Sequence, residues 1–455
     1  SQVTGTGTTQ ITINPSSDFD SSTEYYVQIA ATGFDDSSGN SYAGITDKTS
    51  LSFTSTADTT APTVTSFTST TADGSYGTAT FVDSFSLPEE YPYGLAFNND
   101  GSKMFVAGFG DDDVKEYTLS TVFDVSTASL VDSFDVSSQE NGLRGLAFNN
   151  DGTKMFILGA NGDDVNEYTL STGFDVSTSS FVDSFSISGQ EESPVGLTFN
   201  DDGTKMFITG HLGQDVNEYT LSTGFDVSTA SFVDSFSVSS QMTSPRGINF
   251  NNDGTKMFIT GEEDDEVNEY TLSTGFDVST ASFVGSFDIS SQGWRPHAIS
   301  FNNDGTKMFI VDGGSDVVNE YSIPTINITA TTSESVQSGD TITVTLDTGD
   351  TVVLTAASAG TTLTGTYSFF VGDNSSDLTV SSFAIGSVTD SAGNAMTSTT
   401  LPSSNIADTS DIVINASVLI DGIVEGVEYL TTSGMSGLTN QEGLFNYQDG
   451  DDITF

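Results

Sequence analysis

Side chains able to bind anions, move protons or stack on a ligand are few in this sequence and fall in one kind of place. The three arginines (Arg144, Arg246, Arg295), the two histidines (His211, His297) and the single tryptophan (Trp294) lie in short segments that differ between otherwise near-identical stretches. Arginine offers paired planar donors suited to carboxylate or sulfate groups. Trp294, with Tyr91 and Tyr93, offers flat apolar faces with polar tips. Two histidines without a ligand-spacing motif serve as readily as hydrogen-bonding loop residues as they do as metal ligands. Together these residues suit a ligand with localised negative charge and apolar patches, such as an acidic or sulfated glycan or a protein loop.

Reaction chemistry is poorly served. Glycoside hydrolysis needs two carboxylates flanking the scissile bond, yet the segments YGLAF, RGLAF, VGLTF, RGINF and HAISF carry no Asp or Glu. Glu89, Glu90, Glu140, Glu191 and Glu192 precede them by several residues, at what should be a loop rim. There is no G-x-S-x-G, H-E-x-x-H or phosphate-binding glycine loop. No enzymatic activity is expected.

The elements that position these residues follow from a repeat. The turn string N-[ND]-D-G places its glycine at 101, 152, 203, 254 and 305, a constant step of 51 residues. Each repeat reads as four strands; in the second these are Gly145–Asn149, Lys154–Gly159, Asp164–Leu170 and Ser180–Ser186. The first two strands are apolar on both faces, as befits strands covered by neighbouring sheets. Asn-Asp-Gly supplies the positive dihedrals of a tight hairpin. Tandem four-stranded units of this size are propeller blades. Five sets of the first three strands occur, the fifth without a following F-V-D-S-F strand, while an orphan copy, Phe81–Phe85, precedes the first set. Pairing the orphan with the last set would close a five-bladed ring and remove two exposed edges.

In a closed ring the first-to-second and third-to-fourth connections share one face, where NNDGTK and STGFDVSTAS recur nearly unchanged. The second-to-third and blade-to-blade connections share the other face, and there the repeats diverge. All the rare residues lie on that second face. The residues opening the inner strands, Tyr93, Arg144, Val195, Arg246 and His297, should ring the mouth of the central channel. Loop drift alone would vary both faces alike, so the asymmetry points to a binding face on a rigid scaffold. The candidate ligand-binding residues are Tyr93, Arg144, Arg246, Trp294, Arg295 and His297. The repeated lysines (Lys103, Lys154, Lys205, Lys256, Lys307) read as lone cations beside turn carboxylates on a β edge.

The pattern F-N-N-D-G-[ST]-K-M-F resembles the repeats of bacterial surface-layer and NHL/YVTN-type propellers over residues 81–323; the likeness implies the architecture and no particular ligand. Residues 1–60, carrying ITINPSSDFDSSTEYYVQIA and DDSSGNSYAG, resemble the C-terminal part of a bacterial Ig-like domain of large surface proteins. Residues 325–411, with INITATTSESV and SVTDSAGNAM, resemble a second such β-sandwich that lacks its first strand. A suitable strand stands at 61–77, which suggests that the propeller (78–324) is inserted into that module. D-S-x-G-N occurs in both modules, at Asp36–Asn40 and Asp390–Asn394; a turn is the first reading. Residues 412–455 read as the start of another β module. The fold class is thus all-β: a five-bladed propeller of 51-residue four-stranded repeats, flanked by and inserted into Ig-like sandwiches.

Composition bounds the partners. The 455 residues carry 10 Lys+Arg against 63 Asp+Glu, a formal charge of −53, which repels nucleic acid and anionic membranes. Calcium, which favours hard oxygen ligands, is the one metal the Asp-rich turns suggest. The chain has no cysteine, hence no disulfide staple. It contains no apolar run long enough to span a membrane. It reads as an extracellular excerpt of a longer multi-module bacterial cell-surface protein. Two functions fit: a non-enzymatic adhesin whose propeller is a glycan-binding head on an Ig-like stalk, or a structural spacer without a specific ligand.

Overall fold

Each N-[ND]-D-G string closes a hairpin whose glycine has φ of 68° to 70°, a left-handed conformation that side chains disfavour. Space enforces the same choice. A Cβ on Gly152 would lie 2.3 Å from the Phe174 ring, and Gly101, Gly203 and Gly254 meet Phe123, Phe225 and Phe276 in the same way. The turn is fixed by its own side chains. Asn149 Oδ1 accepts the Lys154 amide at 2.9 Å, and Asp151 Oδ1 accepts the Thr153 amide at 3.0 Å.

The structure, a computed structural model, describes residues 2–5, 8, 10–15, 19–88, 91–416, 428–431, 436–438 and 453–454. Most of the expected β module over 412–455 therefore lies outside the described residues, as do Glu89 and Glu90.

Five antiparallel four-stranded sheets follow one another along the chain. In the second, the strands are Leu143–Phe148, Lys154–Gly159, Asp164–Leu170 and Ser179–Ser186. The fifth consists of Pro296–Phe301, Lys307–Asp312, Val317–Ser322 and, as its outer strand, Thr80–Ser86. Its register, Val318↔Phe85 and Tyr321↔Phe81, repeats that of the second sheet, Val165↔Phe185 and Tyr168↔Phe181, with the same bulge. The inner strands adjoin one another in cyclic order, the fifth returning to the first. These five sheets form a β-propeller. Between neighbouring sheets lie fully buried Met, Phe, Ile, Val and Tyr side chains, for instance Met155, Ile157 and Tyr168 against Phe105 and Val114.

The repeated lysines are not edge cations. Each opens the second strand of its sheet and forms an ion pair with a buried glutamate on the third: Lys103–Glu116 at 2.6 Å, Lys154–Glu167 and Lys205–Glu218 at 2.7 Å, Lys307–Glu320 at 2.6 Å. Each pair also grips the next sheet. Lys103 Nζ donates to the Phe174 carbonyl, and Glu116 Oε2 accepts the Val176 amide at 3.1 Å. The glutamate thereby satisfies the first turn of a short 3-10 helix, and the lysine neutralises it out of water. Pattern alone misplaced these lysines because the carboxylate that holds each one stands 13 residues downstream.

The fifth sheet lacks the STGFDVSTAS loop, so the fourth sheet has nothing of that kind to grip. Phe370–Asp373 takes its place. Lys256 Nζ pairs with Glu269 at 3.0 Å and with Asp373 Oδ2 at 3.2 Å. Phe370 packs edge-on against Phe258 and Phe287, at 5.5 and 5.4 Å. Residues 366–378 group with the propeller and with 410–416.

The other compact unit comprises residues 1–70, 328–365 and 379–409. Its main element is a six-stranded sheet in which Val64–Ser69 lies antiparallel to Thr325–Val336, Ser69 opposite Ile328 and Val64 opposite Thr332. Phe67 and Phe383 meet edge-on in its core. The N-terminal segment holds two short hairpins, Gln2–Thr4 with Thr12–Asn14 and Glu24–Tyr26 with Ser52–Thr54. Among the described residues, no helix is long and apolar enough to cross a membrane.

Candidate functional site

Tyr93, Arg144, Val195 and His297 line one mouth of the central channel, and Arg246, which does not line it, opens the fourth inner strand at the equivalent position. They converge because each holds the same register in its inner strand, and a small residue follows each of them. A Cβ on Gly94 or Gly145 would come within 2.8 Å of the next inner strand. Below the mouth, Leu95, Leu146, Leu197, Ile248 and Ile299 line this depression and also the cavity at the opposite end. This aliphatic girdle makes the site a shallow basin with an apolar floor.

Aromatic stacking organises one side of the basin. The His297 ring lies parallel to Tyr93, centroids 3.9 Å apart and planes 6° from parallel. The Arg144 guanidinium sits 4.4 Å from the Tyr93 centroid and 5.1 Å from that of Phe109. His297 Nδ1 meets the Pro92 carbonyl at 2.8 Å, so that nitrogen carries the proton and Nε2 is an acceptor. Nε2 is buried without a hydrogen-bond partner, and the whole residue is 2% exposed. Burial, with Arg246, Arg144 and Arg295 nearby, pulls its pKa down to about 3 despite the opposing Pro92 bond. His297 is therefore neutral, and the stability it contributes is present above its unfolded pKa of about 6.5 and lost as pH falls from there towards 3. His297→Gln is expected to flatten the acid limb of the stability profile within that window. Parallel acid denaturation of variant and parent that leaves the limb unchanged would refute this.

The arginines divide into two kinds. Arg246 is paired with Glu262, which also receives Arg295 Nε at 3.0 Å. Burial lowers the Arg246 pKa to about 10. Arg144 has no carboxylate partner among the described residues, and its Nε is buried without a hydrogen bond. Burial pulls its pKa down too. The sequence treated the three alike; Glu262, in the loop after the fourth sheet's second strand, was the missed residue. Nothing in the linear string distinguished it from the acidic neighbours Glu263, Asp264, Asp265 and Glu266.

Trp294 is 56% exposed, with Arg295 over its ring at 5.1 Å and its indole against Gly314. Tyr91 is likewise exposed. His211, half-buried, hydrogen-bonds through Nδ1 to Ser244 Oγ at 3.1 Å.

Glu140 and Glu191 are not rim carboxylates. Both are buried. Glu140 accepts the amides of Asn161 and Gly162 at 3.2 and 3.0 Å, and Glu191 those of Ser193 and Gly213 at 2.7 and 3.1 Å. Asp312 does the same for Trp294 and Gly314, at 2.8 and 2.6 Å. These side chains shape the loops, and among the described residues no carboxylate lines the basin itself.

The D-S-x-G-N segments form one kind of turn. Asp36 Oδ1 accepts the Ser38 and Asn40 amides, as Asp390 Oδ1 accepts those of Ala392 and Asn394. Oxygens of Asp390, Asp58 and Glu334 lie within 4.8 Å of one another and could receive a cation. The turn already occupies Asp390, and burial with the two neighbouring carboxylates raises the Glu334 pKa.

Comparison with known proteins assigns one segment. Residues 1–55 match a bacterial Ig-like domain, Big_5. This Ig-like domain and the propeller together support a surface-type protein. No curated protein sequence matches the chain. Similar solved structures include a 6-phosphogluconolactonase-like protein of Bacteroides uniformis (15% identity, 50% of this chain and 66% of that one, TM-score 0.34). Others are the Swd1 propeller domain of Myceliophteria thermophila (9%, 54% and 100%, 0.33) and the periplasmic gluconolactonase of Pseudomonas aeruginosa (14%, 61% and 74%, 0.34). Likenesses of this degree say nothing about what this chain binds.

Proposed function

We propose that the propeller is the non-enzymatic binding head of a bacterial surface adhesin, and that its variable mouth takes a ligand bearing a carboxylate or sulfate, an acidic glycan above all. One observation carries this reading: Arg144 is a half-buried cation set against two aromatic rings, its Nε buried without a hydrogen bond and with no carboxylate partner among the described residues. Such a group is costly to leave unpaired, and a ligand anion would pair it. Trp294 and Tyr91 offer exposed rings on which a sugar face can stack. Three arginines against Glu262 and Glu263 relieve the negative charge of an otherwise acidic molecule at the mouth, which favours the approach of an anion there. In the same reading the propeller is an insert in an Ig-like module, because Val64–Ser69 and Thr325–Val336, the strands that flank it in sequence, pair with each other.

The test is a glycan array screened with the full chain beside Arg144→Ala. The expected result is binding of acidic glycans by the parent, weakened at least about tenfold in a variant with unchanged melting temperature, the worth of one charge-assisted contact. Equal binding by both would remove Arg144 from the site. Absence of binding by the parent would favour the spacer role.

A further inference from the structure

The mouth opposite the variable face is not uniform. The second residue of each N-[ND]-D-G string lies at its rim, and the side-chain amide of one sheet donates to the backbone carbonyl of the next. Asn99 Nδ2 donates to Asn150 O, Asn150 to Asp201 O at 2.7 Å, Asn252 to Asn303 O at 3.0 Å, and Asn303 to Asn99 O at 2.5 Å. The fifth link is missing because position 201 is aspartate, which when ionised cannot donate. The Asn252 carbonyl accepts no hydrogen bond among the described residues, and none reaches the Asp201 carboxylate. Two acceptors thus stand where every other junction has a donor and an acceptor.

A second departure from the repeat includes the same junction. The rim encloses a cavity of about 200 Å³ above the aliphatic girdle, and Ala96 and Ala147 line it from the first two sheets. The equivalent residues of the third, fourth and fifth sheets are Thr198, Asn249 and Ser300, and the first two come from the sheets that carry Asp201 and Asn252. Asn249 Oδ1 accepts the Phe250 amide and keeps a lone pair; the Thr198 hydroxyl has no partner among the described residues. Among the described residues, the rim lacks its side-chain donor only here. Burial and the neighbouring Asp202 carboxylate both raise the Asp201 pKa, and Asp202 itself is occupied by the Thr204 amide and hydroxyl.

We propose that the junction between the third and fourth sheets at this mouth is a site for one hard cation, held by the Asp201 carboxylate, the Asn252 carbonyl and the cavity-lining oxygens of Thr198 and Asn249. The cation supplies the missing link of the ring: it joins two oxygens that otherwise repel. Hard cations favour such carboxylate, carbonyl and hydroxyl oxygens, with water completing the shell. The girdle separates this site from the variable mouth, so it acts on ring closure and leaves the ligand basin untouched.

The test titrates calcium chloride into chelator-stripped full chain by calorimetry, with melting temperature as a second readout, for the parent, Asp201→Asn and Thr198→Val. Asparagine is the residue of the other four repeats, so Asp201→Asn restores the donor and removes the charge. Without calcium this variant is expected to melt about 2–4 °C above the parent, the shift of roughly one recovered hydrogen bond. Calcium should raise the parent's melting temperature, and Asp201→Asn should bind one calcium ion fewer. Thr198→Val should bind that ion several-fold more weakly. The difference between variants isolates this site from any ion taken by Asp58, Glu334 and Asp390. Equal stoichiometry in the parent and Asp201→Asn, or a parent melting temperature indifferent to calcium, would overturn the proposal.

Discussion

Gly285→Asp is expected to destabilise the propeller by about 3 kcal/mol or more, although it installs the residue found at the equivalent place in the other four repeats. Those residues, Asp83, Asp132, Asp183 and Asp234, sit exposed on outer strands. Gly285 is buried instead, because Val371 lies on it: a Cβ there would be 2.5 Å from Val371 Cγ1. An aspartate would have to press its carboxylate into this apolar contact or push Phe370–Asp373 away. Displacement would uncover Phe370 and Val371, both at least nine-tenths buried, and deprive Lys256 of Asp373. Urea unfolding of the full chain measures the loss, with Asp234→Gly as the control, expected to fall within about 1 kcal/mol of the parent. A Gly285→Asp protein as stable as that control would show that the segment does not complete the ring.

The second large effect concerns the ion pairs between sheets. Glu167→Ala should cost about 3–5 kcal/mol, the range for removing one partner of a buried pair. Glu167 accepts from Lys154 at 2.7 Å and from the Val227 amide at 3.1 Å, and Lys154 also donates to the Phe225 carbonyl. Truncation leaves a partly buried cation with one partner and an amide with none. The double variant Lys154→Met, Glu167→Leu should lose less than Glu167→Ala alone, since it removes both charges and refills the volume. Chemical denaturation of the three proteins decides the point. A double variant that loses more than Glu167→Ala would mean that the pair stabilises through the lysine's contacts and not through charge compensation.

The elements were legible where their signals are local. Asn-Asp-Gly hairpins, apolar second strands and the 51-residue step each act within a few residues of the chain, and the orphan Phe81–Phe85 could be matched by its string to the outer strands. Phe370–Asp373 had no such signature. It belongs to the ring only through contacts with Phe258, Phe287 and Lys256, all far away in sequence, and its single trace was the change of F-V-D-S-F to F-V-G-S-F at Gly285. At the site, alignment of the repeats picked out the five residues that open the inner strands, because equal register in a ring places them around one axis. Their chemistry was not readable in that way. Whether an arginine is free, like Arg144, or held, like Arg246 and Arg295 by Glu262, depends on side chains arriving from different sheets. The burial of Glu140 and Glu191 under backbone amides depends on loop conformation, and so does the neutral state of His297. Near-identity also concealed differences: one Asn-to-Asp change at position 201 is easily passed over in a repeated turn, yet it removes a donor from the ring.

The absence of cysteine allows a direct test of the central claim, that ligand is met at the variable mouth. Single cysteines placed at Leu212, 67% exposed in a variable loop, and at Val122, 56% exposed on the invariant face, can each be coupled to a bulky maleimide polymer. The two conjugates would then be applied to the same glycan array as the parent. The account requires the group at position 212 to abolish acidic-glycan binding and the group at position 122 to leave it intact. Binding that survives at 212 and is lost at 122 would contradict it and move the site to the opposite face.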